Sequence, residues 1–304
     1  MMLDASVLQA PLLDHRGLDL AAARRVRYVL QQSFRYSYDD PVRSLRQRLV
    51  VVPPARHGNQ YRRGHRLEVD GAAVRRRVRR DAHGNVVAWL QADQVPEAIE
   101  FRLAAVIERV RDDGPALVPA AALPRLLRPT PLTAPDERLR DLAAGLAGPD
   151  PEETAQRICD TVAAALTYES GVTSVQTTAA QALAGGRGVC QDFAHVMLAV
   201  CRIAGLPARY VSGHLLGQGG THAWVEVLLT RGGPGGAARG GTACDAAAEA
   251  VAFDPCNGRR TDGGYVTIAT GRDYADVAPV SGSYLGASPG RLTADRRVGV
   301  LAAA

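Results

Sequence analysis

The stretch from Gly188 to Pro207, GVCQDFAHVMLAVCRIAGLP, constrains this chain more than any other. Ala194, Met197, Leu198 and Cys201 recur at the spacing of one helix face, and Gly205 followed by Leu206-Pro207 is a stop signal. The pattern predicts a helix that starts at or beside Cys190 and ends at Gly205. The alternating run His222-Ala223-Trp224-Val225-Glu226-Val227 reads as a strand, with further strands over 208–215, 251–253, 265–269 and 292–301. A helix packed against an antiparallel sheet is an α+β core.

Cys190 then falls at a helix N-terminus, where unpaired N–H groups and the helix dipole favour a thiolate. A reactive thiol needs a base, and the base needs an orienting group. His222 opens its strand and Asp254 ends the apolar run from Val251, so Cys190, His222 and Asp254 follow one another at equal gaps of 32 residues. Each also has a plainer reading: a buried small hydrophobe, an ordinary strand histidine and a turn residue before Pro255. Cys159 and Cys201 are assigned to the buried-hydrophobe class.

The blocks GVCQDFAH, HAWVEV and FDPCNG, with ARYVSGH between the first two, resemble the core of the bacterial transglutaminase-like cysteine peptidase superfamily. FRYSYDDPVRSLRQRLVVVPP and RRDAHGNVVAW are similar to the N-terminal region that accompanies this core in bacteria, and GRDYADVAPVSGSYLG resembles the family's C-terminal segment. The three blocks are specific because independent matches in one order are hard to obtain by chance. The resemblance implies a papain-like arrangement with the thiol at the helix end and His and Asp on neighbouring strands. It assigns Cys190 as nucleophile, His222 as base and Asp254 as the group that orients the imidazole. The Cys190 N–H is one oxyanion donor by position. Gln181 is the candidate second donor, set against a helix-surface glutamine; Asp192 favours the helix start through the dipole, and Trp224 either fills the interior or walls an acyl pocket. Two features depart from the family pattern. Residues 231–250 form a Gly/Ala-rich stretch read as a surface loop, and Cys256 stands where threonine is more usual, a second thiol that is either silent or oxidisable.

Upstream, residues 25–38, 45–52, 66–70, 74–80, 86–90 and 99–110 read as strands, with 66–70 and 74–80 as a hairpin about Gly71 and a turn over 81–85. They predict an antiparallel β-sandwich domain over 1–112. Pro115, Pro119, Pro124, Pro129, Pro131 and Pro135 mark 113–135 as a linker, leaving 136–304 as the core, with helices over 136–146 and 151–166 and a short helix capped by Thr177 or Thr178.

All 36 basic residues are arginine, and residues 1–128 hold 22 of them against 14 acids. Arg75, Arg76, Arg77, Arg79 and Arg80 suggest either an anionic partner or a solvated strand face that protects an edge. No aromatic residue interrupts the run, so the solvated face is preferred and no nucleic-acid partner is expected. Five cysteines at irregular spacing, without a CxxC pair, fit reduced thiols and imply no metal or cofactor. No apolar run approaches the roughly 20 residues of a membrane span, and the acidic N-terminus lacks a basic leader region, so a cytoplasmic protein away from membranes is expected. The reading is a cysteine-dependent acyl-transfer enzyme that forms a thioester from a peptide or glutamine-type amide. Hydrolysis or peptide modification is preferred to cross-linking, since excluding water in favour of an amine needs a dedicated tunnel. The alternatives are a protein-glutamine transglutaminase with an amine co-substrate and a non-catalytic binding scaffold.

Overall fold

The computed structural model describes residues 5–230 and 247–304. The Gly/Ala-rich stretch lies mostly outside the described residues, Cys244 with it; its last four positions belong to a strand.

Two antiparallel sheets make up the first half. β1 (Arg25–Ser37), β2 (Val42–Val52), β3 (Gln60–Asp70), β4 (Arg75–Arg80), β5 (Val86–Val95) and β6 (Ala98–Val110) divide between them. β1, β6 and β3 are neighbours in one sheet, and β2, β5 and β4 in the other. Alternation does the sorting: Tyr28, Leu30 and Phe34 from β1, Phe101 and Leu103 from β6, and Leu45, Leu49, Leu90 and Ala92 from the opposite sheet enclose one apolar interior. Burying each such large side chain contributes roughly 1.5–3 kcal/mol.

The expected hairpin about Gly71 does not form, because β3 pairs with β6 whereas β4 pairs with β5. The chain changes sheets there. Gly71 has φ +92°, and a Cβ on it would sit 2.2 Å from the Ala98 carbonyl oxygen, so the crossing is closed to any larger residue.

β7 (Leu117–Pro119) lies in the proline-rich segment. That segment is not a free tether: Val118, Leu126 and Thr133 are buried, and the buried Arg202 guanidinium donates to the Leu126 carbonyl at 3.1 Å and to Thr133 Oγ1.

Residues 136–304 contribute helices α1 (Glu137–Ala143), α2 (Pro151–Ala165), α3 (Ala179–Gly185), α4 (Cys190–Ile203) and α5 (Tyr274–Val277). Their strands are β8 (Ala208–Leu215), β9 (His222–Leu229), β10 (Ala247–Asp254), β11 (Tyr265–Gly271), β12 (Val280–Leu285) and β13 (Arg291–Ala303). The order β10-β9-β8-β11 forms the core sheet, with β7 paired to β10. α4 crosses one face of it, its Phe193, Met197 and Val200 packed with Ala223, Val225 and Val227 of β9. The fold is α+β, as expected. The last two strands, counted from sequence with the core, pair elsewhere: β12 with β2, and β13 with β1 along nearly its whole length. The long β1 obtains its second neighbour only from the chain's far end.

Side-chain amides join the two halves. The outer edge of β11 presents Thr267 and Thr270, whose N–H and C=O groups have no strand beside them on that side. Gln60 donates to the Thr267 carbonyl at 2.7 Å and accepts its N–H at 2.9 Å, and Asn85 does the same for Thr270 at 2.8 Å each. A carboxamide offers one donor and one acceptor side, as a peptide group does, so each buried amide stands in for a missing strand residue. Among the described residues no helix is long and apolar enough to cross a membrane.

Candidate active site

Local sequence places the thiol. α3 is capped at its start by Thr178 and ended by Gly186 at φ +64°. Residues 187–188 then pair in parallel with 167–168, and α4 begins at Cys190. Asp192, in the first turn, accepts the Val189 N–H at 2.8 Å and the Thr173 hydroxyl at 2.6 Å, which clasps the 169–177 segment to the helix start. A Cβ on Gly188 would fall 2.5 Å from that carboxylate, so the glycine before the thiol makes room for the clasp. Burial pushes the Asp192 carboxyl above its ordinary range, against the pull of these hydrogen bonds.

His222 sits at the first position of β9, buried, and its Nε2 lies 2.7 Å from Asp254 Oδ2. Cys190, at the start of α4, is close enough to act on the same ring, and its influence adds to that of Asp254. Burial alone would lower the histidine's pKa. The hydrogen bond that His222 donates to Asp254, with the influence of Cys190, outweighs it and raises His222 to about 9. Asp254 is fully buried, and its carboxyl is densely supplied. Oδ2 also accepts Asn257 Nδ2 at 2.6 Å and the Tyr265 hydroxyl at 2.7 Å, while Oδ1 accepts the N–H groups of Cys256 at 3.0 Å and Asn257 at 3.2 Å. Burial raises its pKa, but the His222 bond and charge, followed by Asn257 and Tyr265, carry the net shift below the usual carboxylate range.

The structure thus brings Cys190, His222 and Asp254 together from a helix end and two adjacent strands. The remaining sequence candidates sit otherwise. Gln181 is exposed on α3, its carboxamide oxygen held by the Thr178 N–H at 2.9 Å as half of a capping box, so it is the surface glutamine rather than an oxyanion donor. Asp192 is a clasp, its Oδ2 engaged by the Val189 N–H and the Thr173 hydroxyl. Trp224 is interior filler, 1% exposed and edge-on to Tyr265 at 5.4 Å, over Gly213, where a Cβ would come within 2.4 Å of the indole. Cys256 is half-buried beside the site; burial first, then the charges of Cys190 and Asp254, push its thiol up to about 12.

Sequence reasoning missed Tyr265, Asn257 and Tyr168. Asn257 stood within the FDPCNG block, the only available signal. Tyr168 pairs with Gly188, two residues before Cys190, and is 59% exposed; burial and then the charges of Cys190 and Cys256 raise its phenol.

A transglutaminase-like core behind an antiparallel sandwich is the class of protein that this fold and site define. Residues 140–235 match the transglutaminase-like superfamily and residues 28–108 the bacterial transglutaminase-like N-terminal region, the two regions that the sequence blocks resemble. Among its relatives is an uncharacterized Mycobacterium tuberculosis protein, Rv2569c, 29% identical over 305 residues that cover 88% of this chain and 89% of the relative. A Mycobacterium leprae protein, ML0607, is 33% identical over 172 residues, covering 53% of this chain and 55% of that protein. The crystal structure of a Cytophaga hutchinsonii protein, proposed there to be a cysteine protease, superposes with a TM-score of 0.70 at 21% identity over 91% of both chains. At that identity the likeness speaks for the fold.

Proposed function

We propose that the protein is a cysteine-dependent acyl-transfer enzyme. Cys190 gives its proton to His222 and attacks a peptide or glutamine-type carbonyl. The tetrahedral oxyanion is met by the Cys190 N–H at the helix start, and the imidazolium returns the proton to the departing amine or ammonia. A thioester remains on Cys190, and water activated by His222 releases the acid. Asp254 holds the orientation of the His222 ring through Nε2 and stabilises the imidazolium. The observation that carries this reading is the buried 2.7 Å bond between His222 and Asp254, with Cys190 at the helix start beside the same imidazole. Hydrolysis is favoured over amine transfer because amine transfer needs water excluded, whereas Cys190 is only half-buried and Tyr168, paired with Gly188 just before it, is exposed.

The test is peptide-level mass spectrometry of a mixed peptide pool incubated with wild type or Cys190→Ala, with and without a primary amine. New termini or deamidation that depend on Cys190 support hydrolysis. Amine adducts on glutamine in place of them would move the assignment to transglutamination, and identical spectra from both proteins at high enzyme load would remove the enzyme reading.

A further inference from the structure

The arginine run of β4 carries no aromatic residue in sequence, but the strand register supplies one. Arg77 stands opposite Trp89 of β5, which stands opposite Arg48 of β2; in the next row Arg75, Gln91 and Arg46 are matched in the same way. Directly opposed residues share a face, so these side chains form one outward surface. Its lower end is closed: Val87, opposite Arg79, and Val50 of β2 are buried in the core's apolar cluster. The rest is open. Trp89 is 49% exposed, and Arg75, Arg77 and Arg79 are exposed, lining with Trp89 and Gln91 a depression of about 420 Å³.

The charge on this surface is only partly compensated. Its acid, Asp93, is engaged by Arg75 at 2.7 and 3.2 Å. Arg48 donates to the Asp276 carbonyl, and Arg46, Arg77 and Arg79 have no ion-pair partner among the described residues. Solvation and edge protection would be served by arginines alone. A half-exposed indole set between guanidinium groups adds a stacking platform, and the pairing of cationic side chains with such a platform is how unpaired strands are held. We propose that this face binds a single-stranded nucleic acid, one base stacked on Trp89 and phosphates at Arg46, Arg48, Arg77 and Arg79. A duplex keeps its bases stacked internally and has none to offer the indole. An acidic polypeptide would meet the arginines but leave the indole unused.

Fluorescence anisotropy of the full chain with labelled dT20 and rU20 across a salt series tests this. Four phosphate contacts give a slope of log K against log salt of about −3. Arg77→Ala with Arg79→Ala should flatten it by roughly 1.4. Trp89→Ala should weaken binding at fixed salt by about fivefold or more while keeping the slope. Trp224 is buried, so the quench of tryptophan emission on binding should vanish with Trp89. Better binding of dT20 or of rU20 assigns DNA or RNA, and either supports the proposal. It is overturned by no binding of either oligomer at low salt, by equal affinity for a blunt duplex, by variants that melt and bind like wild type, or by poly-glutamate displacing the oligomer without a change in Trp89 emission. Should Trp89→Ala fail to fold, Arg46→Ala, on an exposed position, must still flatten the slope by about 0.7.

Discussion

Around α4, one cysteine and one histidine serve the site at the helix start, and another of each is shut in the interior. In its interior, Cys201 is fully buried, and burial pushes its thiol to about 12. His195, also fully buried, accepts the Tyr274 N–H at 3.2 Å through Nε2, and burial lowers it to about 4. At the helix mouth, Cys190 keeps partial access to solvent and His222 rises to about 9. Both histidines are buried. What separates them is a hydrogen-bonded carboxylate, Asp254, against a backbone N–H that asks the ring to stay neutral. Burial makes these residues inert, and a charge partner reverses it.

Substitutions at the two ends should therefore diverge. Cys190→Ala should lower turnover by about 10⁴-fold or more, measured as release of new termini from a peptide pool, whereas Cys201→Ala should leave it within a few-fold and cost about 1 kcal/mol of stability. Comparable losses from both cysteines would erase the distinction. Asp254→Asn should cost about 10²–10⁴-fold in kcat, because the carboxamide cannot accept from His222, Asn257 and Tyr265 at once. Tyr265→Phe removes one of those donors and should cost only several-fold, with about 1 kcal/mol in urea unfolding.

The two histidines also predict opposite responses of stability to pH. His222 is raised above its ordinary 6.5, so its contribution is complete below pH 6.5 and is lost as pH rises through about 9. His195 is depressed, so the unfolded chain binds its proton more readily between pH 6.5 and about 4, and stability falls as pH drops through that window. Urea midpoints should show His222→Gln flattening the alkaline limb and His195→Asn the acid limb. If either variant altered the other limb instead, the assignment of the two environments would be reversed.

The sequence disclosed what is set locally. The start of α4 at Cys190, its end before Gly205, the Thr178 cap and the turn over 81–85 depend on neighbours within a few residues, and each was legible. Cys190, His222 and Asp254 were legible because three blocks resemble one family. Pairing between distant strands was not. Nothing in residues 291–303 announces that they will lie beside β1, nor does the segment after Gly71 reveal that it changes sheets. The same blindness hid Tyr265 behind Asp254, the amides of Gln60 and Asn85 along β11, and Trp89 between two arginines, since each acts across a gap of many residues. Gln181 shows the converse: a local capping box explains it without any role in the site.

The most direct test of the central claim is the rate of Cys190 alkylation by iodoacetamide between pH 5 and 9, read by peptide mass spectrometry in wild type and His222→Ala. Wild-type Cys190 should react at pH 6 about tenfold or more faster than in His222→Ala, with the buried Cys159 and Cys201 unlabelled in both. A Cys190 profile identical in the two proteins and matching that of free cysteine would show that His222 does not activate the thiol, and the account of the site would fail.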